Sequence, residues 1–281
     1  MCELRVIEQE FKVYALSAIF GSQRLPFPLP RDENLMPFRL LEPAFGPKPL
    51  WEAPPLLGDE KKKYTWDNHP DCSFALSMQA FKHSVTPDVE TCTVLFSNFA
   101  IYPYLSIEFK KTTTQTTKTA IHQLMVASTM ALYNRYRLKC DVRKDKQWSA
   151  ADYTQMRHYG IMFQASSWTL FCTVPEGLLC DKPKCTEPGS TPKSYDNNKL
   201  QSLSWTGCKM LMMDKGDCKV ERGTRKLLYY LIQIHLWGMY THGKSCKEDI
   251  TEFIAFSRLD DYQGLEKLGR LKLTEGGANG N

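Results

Sequence analysis

The chain has ten cysteines and not one Cys-x-x-Cys pair. That removes the tight chelating pair on which structural zinc sites are usually built. It has no glycine-rich loop of the P-loop or dinucleotide kind, so nothing in it cradles a phosphate by backbone amides in that way. It has no strand-to-helix elbow that would set a cysteine beside a histidine for nucleophilic catalysis. No apolar run is long enough to cross a bilayer. The opening residues, Met1-Cys2-Glu3-Leu4-Arg5, carry no signal-peptide core. There are no internal repeats. These absences lead to the expectation of an intracellular protein, cytoplasmic or nuclear, with reduced thiols and no membrane partner.

What is present is enough for a substantial core. The 281 residues are 42% hydrophobic and 12% aromatic, which suits one large domain or two small ones. Lys and Arg number 36 against 31 Asp and Glu, a net charge of +5. That balance is mildly basic. It is compatible with a polyanionic partner without demanding one. Small basic clusters lie at Lys61-Lys62-Lys63, at Lys110-Lys111 and from Arg135 to Lys146.

Residues 3 to 20 read as a helix, with apolar positions at near-helical spacing and Gly21 as its stop. From Pro26 to Pro55 proline recurs too often for a helix or a central strand. This is an extended arm over the domain surface, anchored by Phe45 and Trp51. Strand signals follow at 72–77, 92–98 and 104–110. The threonine-rich run from Thr112 to Thr117 reads as a polar loop at the mouth of a site. A long helix spans about Lys118 to Leu138. Two strands, 159–165 and 168–174, are joined by a tight Ser166-Ser167 turn. A polar loop runs from Pro175 to Asn198, a further strand covers 208–213, and helices follow at about 223–241 and 247–256. The order of elements predicts an α/β or α+β domain on one mixed sheet. Three regions are expected: residues 1–64 as helix and arm, 65–270 as the domain, and 271–281 as a disordered tail.

The chemistry is concentrated in Leu105-Ser106-Ile107-Glu108-Phe109-Lys110. Side chains alternate along a strand. Leu105, Ile107 and Phe109 therefore point one way, and Ser106, Glu108 and Lys110 the other. Asp71, 37 positions before Glu108, precedes the apolar run Cys72-Ser73-Phe74-Ala75-Leu76. An acid before one strand and Glu-x-Lys inside a later one is a pattern for metal-dependent phosphodiester hydrolysis. Hard divalent cations bind carboxylate oxygens, and phosphoryl chemistry needs a cation beside them. Asp71 and Glu108 are the candidate ligands for Mg²⁺ or Mn²⁺, with the Phe109 carbonyl between the two polar residues. Lys110 would orient water and offset developing charge. Taken alone, Glu-x-Lys is more often a charge pair on a strand; its order and context carry the reading.

Other constellations carry less. Cys180, Cys185, Cys208 and Cys218 are too loosely spaced for a structural zinc site. His235 and His242 lie on or after an apolar helix and read as packed or solvated. The segment Tyr133 to Lys139 mixes aromatic and basic residues, as phosphate-binding surfaces do, but it also reads as the amphipathic end of a helix.

Five stretches together resemble a known family. They are Pro70–Leu76, Tyr102–Lys110, the helix from Ala120 to Arg135, Tyr159-Gly160-Ile161 with Trp168-Thr169-Leu170-Phe171, and Ile234–Met239. The chain is similar over roughly residues 65 to 255 to the PD-(D/E)XK nuclease superfamily, most of all to the nuclease-like domain proteins widespread in fungi. The resemblance implies a restriction-endonuclease-like fold, a central mixed β-sheet flanked by helices. It implies metal-dependent cleavage of DNA or RNA where activity is kept, and a catalytically inactive nucleic-acid-binding or protein-interaction module where it is not. It also implies Gln123, on the helix after the Glu-x-Lys strand, as a fourth site member. The tyrosine that often follows that glutamine four positions on is here Ala127. An acidic residue of the first helix often completes such sites, and Glu8 and Glu10 both remain open.

Overall fold

The computed structural model describes residues 70–78, 95–97, 100–110, 114–143, 155–176 and 205–256, with single positions at 53, 54, 81, 89, 148 and 152. The first helix, most of the proline-rich arm, Glu8, Glu10, Cys180, Cys185, most of the Pro175–Asn198 loop and the tail lie outside the described residues.

Within them the fold is α/β. Strands β1 (Cys72–Ser77), β2 (Leu95–Ser97) and β3 (Ala100–Lys110) come first. Helix α1 (Thr114–Arg143) then crosses to β4 (His158–Gln164), followed by β5 (Ser167–Pro175), β6 (Cys208–Asp217) and helix α2 (Glu221–Trp237). A π-helical stretch, Gly238–Gly243, continues α2 without a break into helix α3, residues 244–256. The strands form one mixed sheet in the order β1-β3-β4-β5-β6, with β2 on β3 off that path. All pairs are antiparallel except β3 with β4. That parallel pair is what α1 makes possible, since a parallel connection needs a crossover.

Alternation sorts the sheet into two faces. Leu105, Ile107, Phe109, Ile161, Phe163 and Leu170 join one core cluster with Leu227, Leu231 and Ile234 of α2. On the opposite face, Ala120 and Leu124 of α1 pack on Met162 and Phe171. Each fully buried side chain of this size contributes about 1.5–3 kcal/mol. Both faces of β3 are therefore covered, and ten of its eleven residues are buried. Gly238 is needed where α2 meets the sheet, because a Cβ there would lie 2.6 Å from the Tyr104 ring.

Several boundaries differ from the sequence reading. The threonine run is not a loop throughout: α1 begins at Thr114. No glycine or proline interrupts 114–143, and packing on the sheet outweighs the modest helix propensity of threonine. The β4–β5 turn is Ala165-Ser166, one residue earlier than expected, because Gln164 pairs with Ser167. Ala165 takes φ +52°, the positive φ that tight hairpin turns require at their first position. The helix expected over 223–241 is α2 up to Trp237, where the π stretch takes over. No described helix is long and apolar enough to cross a membrane.

Candidate functional site

Asp71 sits just outside β1, and its position follows from the register of the next pairs. Cys72 faces Ile107 and Ser73 faces Ser106, so Asp71 comes opposite Glu108. Its Oδ2 accepts a hydrogen bond of 2.8 Å from the Phe109 backbone N–H. The carboxylate thus takes the place of a ladder carbonyl where β1 has run out. N–H and C=O of one strand residue face the same edge, so the Phe109 carbonyl faces the edge of β3 on which β1 pairs.

Glu108 lies on the face covered by α1 and is 1% exposed. Lys110, two residues on and on the same face, brings its Nζ to 3.1 Å from Glu108 Oε2. That contact is an ion pair and not an aligned hydrogen bond; among the described residues neither Glu108 oxygen accepts one. Burial is the largest influence on this carboxyl and pushes its pKa up to about 8. Lys110 pulls it down and the neighbouring charge of Asp71 pushes it up again. With its pKa near 8 this carboxyl holds its proton at neutral pH, and a further positive charge beside it would favour the ionised form.

The structure therefore brings together Asp71, Glu108, Lys110 and the Phe109 peptide. Gln123 lies half-buried on α1, next to Leu124. The side chain of Leu124 packs over Gly160, on the same sheet face as Glu108. The start of α1 is fastened to this end of the sheet by a 2.8 Å hydrogen bond from Gln164 Nε2 to Thr117 Oγ1. Gln164 is the register partner of Lys110.

The other candidates separate. Cys208 opens β6 and Cys218 follows its end, so the two do not converge. Among the described residues no three His, Cys, Asp or Glu side chains gather as a metal cluster. Of the basic aromatic segment, only Arg137 is exposed. Arg135 and Lys139 are buried against Asp249, and Tyr133 and Tyr136 pack with Trp148 and Trp205. Apart from Arg137 the segment is interior. His235 is packed, its Nδ1 2.8 Å from the Tyr104 hydroxyl. His242 is packed as well, its Nε2–H donating to the Tyr102 carbonyl at 2.9 Å.

A buried polar chain beneath the acids went unread in the sequence. Ser73 Oγ lies 3.0 Å from Ser106 Oγ, and Ser106 Oγ 3.3 Å from His158 Nε2. His158 Nδ1 is in turn 2.9 Å from Ser128 Oγ of α1. The available signal was Ser106 itself, a hydroxyl on the polar side of a strand that turns out to be covered by a helix. Compared with family models, with curated proteins and with solved structures, the chain matches none.

Proposed function

We propose that this chain is a divalent-metal-dependent nuclease with the restriction-endonuclease-like fold of the PD-(D/E)XK superfamily, hydrolysing phosphodiester bonds of DNA or RNA with Mg²⁺ or Mn²⁺. The observation that carries the reading is the buried Glu108 carboxyl, neither oxygen of which accepts an aligned hydrogen bond among the described residues, placed beside Asp71 and Lys110. A hard cation is the natural occupant of such a donor set, and its ligands would be Asp71, Glu108 and the Phe109 carbonyl. When bound, it would supply Lewis acidity for a phosphate oxygen and for a water.

The protein's own residues divide the remaining work. Phe109 N–H holds Asp71 Oδ2 and so fixes where this carboxylate lies beside Glu108. Glu108 is fixed by its strand and cannot swing to solvent. Lys110, 16% exposed, is the side chain of the trio that can reach both the carboxylate and an incoming phosphate. Its ammonium would orient the attacking water and offset charge on the phosphoryl oxygens. Gln123 is the further candidate for contact with a phosphate or the site.

A second reading, a nuclease fold that binds nucleic acid or protein without cleaving, is favoured by the burial of Glu108 to 1% exposure. One experiment separates the two. Purified full-length protein should nick or degrade DNA or RNA with Mn²⁺ or Mg²⁺ and not with a chelator. Lys110→Ala should abolish cleavage while its circular dichroism and urea transition stay near those of the parent. Undiminished cleavage by that variant sinks the assignment, and absence of any heat of Mn²⁺ binding favours the non-catalytic reading.

A further inference from the structure

Asp71 is the residue just before β1. It lies outside the strand, and the β1–β3 register beside it runs through Cys72–Ile107, Ser73–Ser106 and Phe74–Leu105 before it shifts between Phe74 and Leu76. All six residues of β1 are buried, so its register is set by what each face meets, and on the acids' face that includes the Ser73 hydroxyl. A slip of one residue would turn each side chain to the other face and take Asp71 away from Glu108.

The polar chain lies where that register is set. Ser73 is two residues after Asp71, and Ser106 two before Glu108, so both share the acids' face. Their hydroxyls meet directly across the strand pair at 3.0 Å. His158, from the parallel neighbour β4, reaches Ser106 with one ring nitrogen and Ser128 of α1 with the other. Ser73, Ser106, Ser128 and His158 are exposed by no more than 1%. Burial, with a smaller effect of His242, lowers the His158 pKa to about 3. The ring is therefore neutral, one nitrogen donating and the other accepting, and the chain has to be polarised in a single direction. Apolar residues would fill the same space without the cost of burying four polar groups. A hydrogen-bonded chain adds direction, because only one register satisfies it.

We propose that His158 is a positioning residue: through Ser106 and Ser73 it locks the β1–β3 register that holds Asp71 against the Phe109 amide and opposite Glu108. The link to metal binding rests on the nuclease reading above; the positioning itself does not. Three full-length variants test it. His158→Leu removes both ring contacts, His158→Gln returns a donor and an acceptor, and Ser106→Ala cuts the chain at its middle without changing the ring. Amide hydrogen exchange at Phe109 reports the Asp71 bond directly, with Ile161 in the middle of the sheet as internal reference. Mn²⁺ affinity is read by calorimetry and global stability by urea.

In His158→Leu and Ser106→Ala, Phe109 should exchange about tenfold faster relative to Ile161, and Mn²⁺ affinity should fall by about the same factor, the scale typical of residues that orient metal ligands. His158→Gln should recover part of both. If His158→Leu does not fold, Ser106→Ala carries the test. Unchanged Phe109 exchange relative to Ile161 in the folded variants overturns the proposal. If Phe109 exchange quickens while the parent protein binds no Mn²⁺, the positioning holds and the nuclease reading fails.

Discussion

Helix α1 has buried charge at both ends, and the two ends are arranged differently. Near its C-terminus, Arg135 and Lys139 both reach Asp249, and Lys139 also binds Asp152 at 2.6 Å. Arg135 is further bonded to Ser245 at 2.7 Å. At the rim Arg143 pairs with Glu252 at 3.4 Å. Among the described residues three cations meet three anions there, and hydrogen bonds run between them. Past the N-terminus, Glu108 has a single ion pair with Lys110, a second acid close by, and no hydrogen bond to either oxygen among the described residues. The first arrangement is balanced in charge, although Arg135 Nη1 and Arg143 Nε find no hydrogen-bond partner among the described residues. Among the described residues the second sets two acids beside one cation, the imbalance on which the proposed cation site rests.

The comparison can be broken most forcefully at Asp249. Asp249→Ala leaves Arg135 and Lys139 buried with one fewer anion, and the loss should be about 3–5 kcal/mol. A urea titration reads it directly, and a loss below 1 kcal/mol would mean that the network is not a balanced unit.

The opposite sign is expected at the other end. In the metal-free protein Glu108 has its pKa raised from 4.5 to about 8. Below the lower value the carboxyl is protonated folded and unfolded alike. Between the two values the folded state keeps a proton that the unfolded state has released, so this group lowers stability progressively as pH rises through that window. Glu108→Gln removes the penalty. In the presence of a chelator it should be more stable than the parent at pH 8, by an amount on the order of a few kcal/mol, and little different near pH 4. A variant destabilised at pH 8 would show that the ionised carboxylate is already satisfied without a metal.

The smallest effect calibrates the other two. Glu221 and Arg225 form an ion pair at 2.7 Å with both side chains more than three-quarters exposed. Glu221→Ala should change stability by less than about 0.5 kcal/mol, an effect that salt should screen further. A larger loss would shift credit from burial to charge pairing in general.

How far the sequence anticipated this structure follows from the range of each signal. Alternation in Leu105 to Lys110 placed Glu108 and Lys110 on one face, and β1 came out at 72–77 as expected. The convergence of Asp71 needed more, because a 37-residue separation says nothing of strand register until Ser73 is seen opposite Ser106. The Arg135–Lys139 segment misled for the same reason. Its charges look like a solvated helix end until Asp249, more than a hundred residues away, is brought alongside. The mouth loop was misjudged because a threonine run has weak local preference and takes whatever the sheet offers.

The π turn between α2 and α3 gives one rod two phases. Leu227, Leu231 and Ile234 face the sheet core, whereas Cys246, Ile250 and Ile254 face a second core with Leu138 and Val142 of α1. A helix advances about 100° per residue, and a π turn takes in an extra residue without ending the helix. Gly238–Gly243 therefore acts as a phase shifter. It sets which side of α3 looks at the apolar residues of α1 and which side carries Ser245 and Asp249 to Arg135. Shortening that turn by one residue would swing the anion off its cations and the isoleucines off their core together.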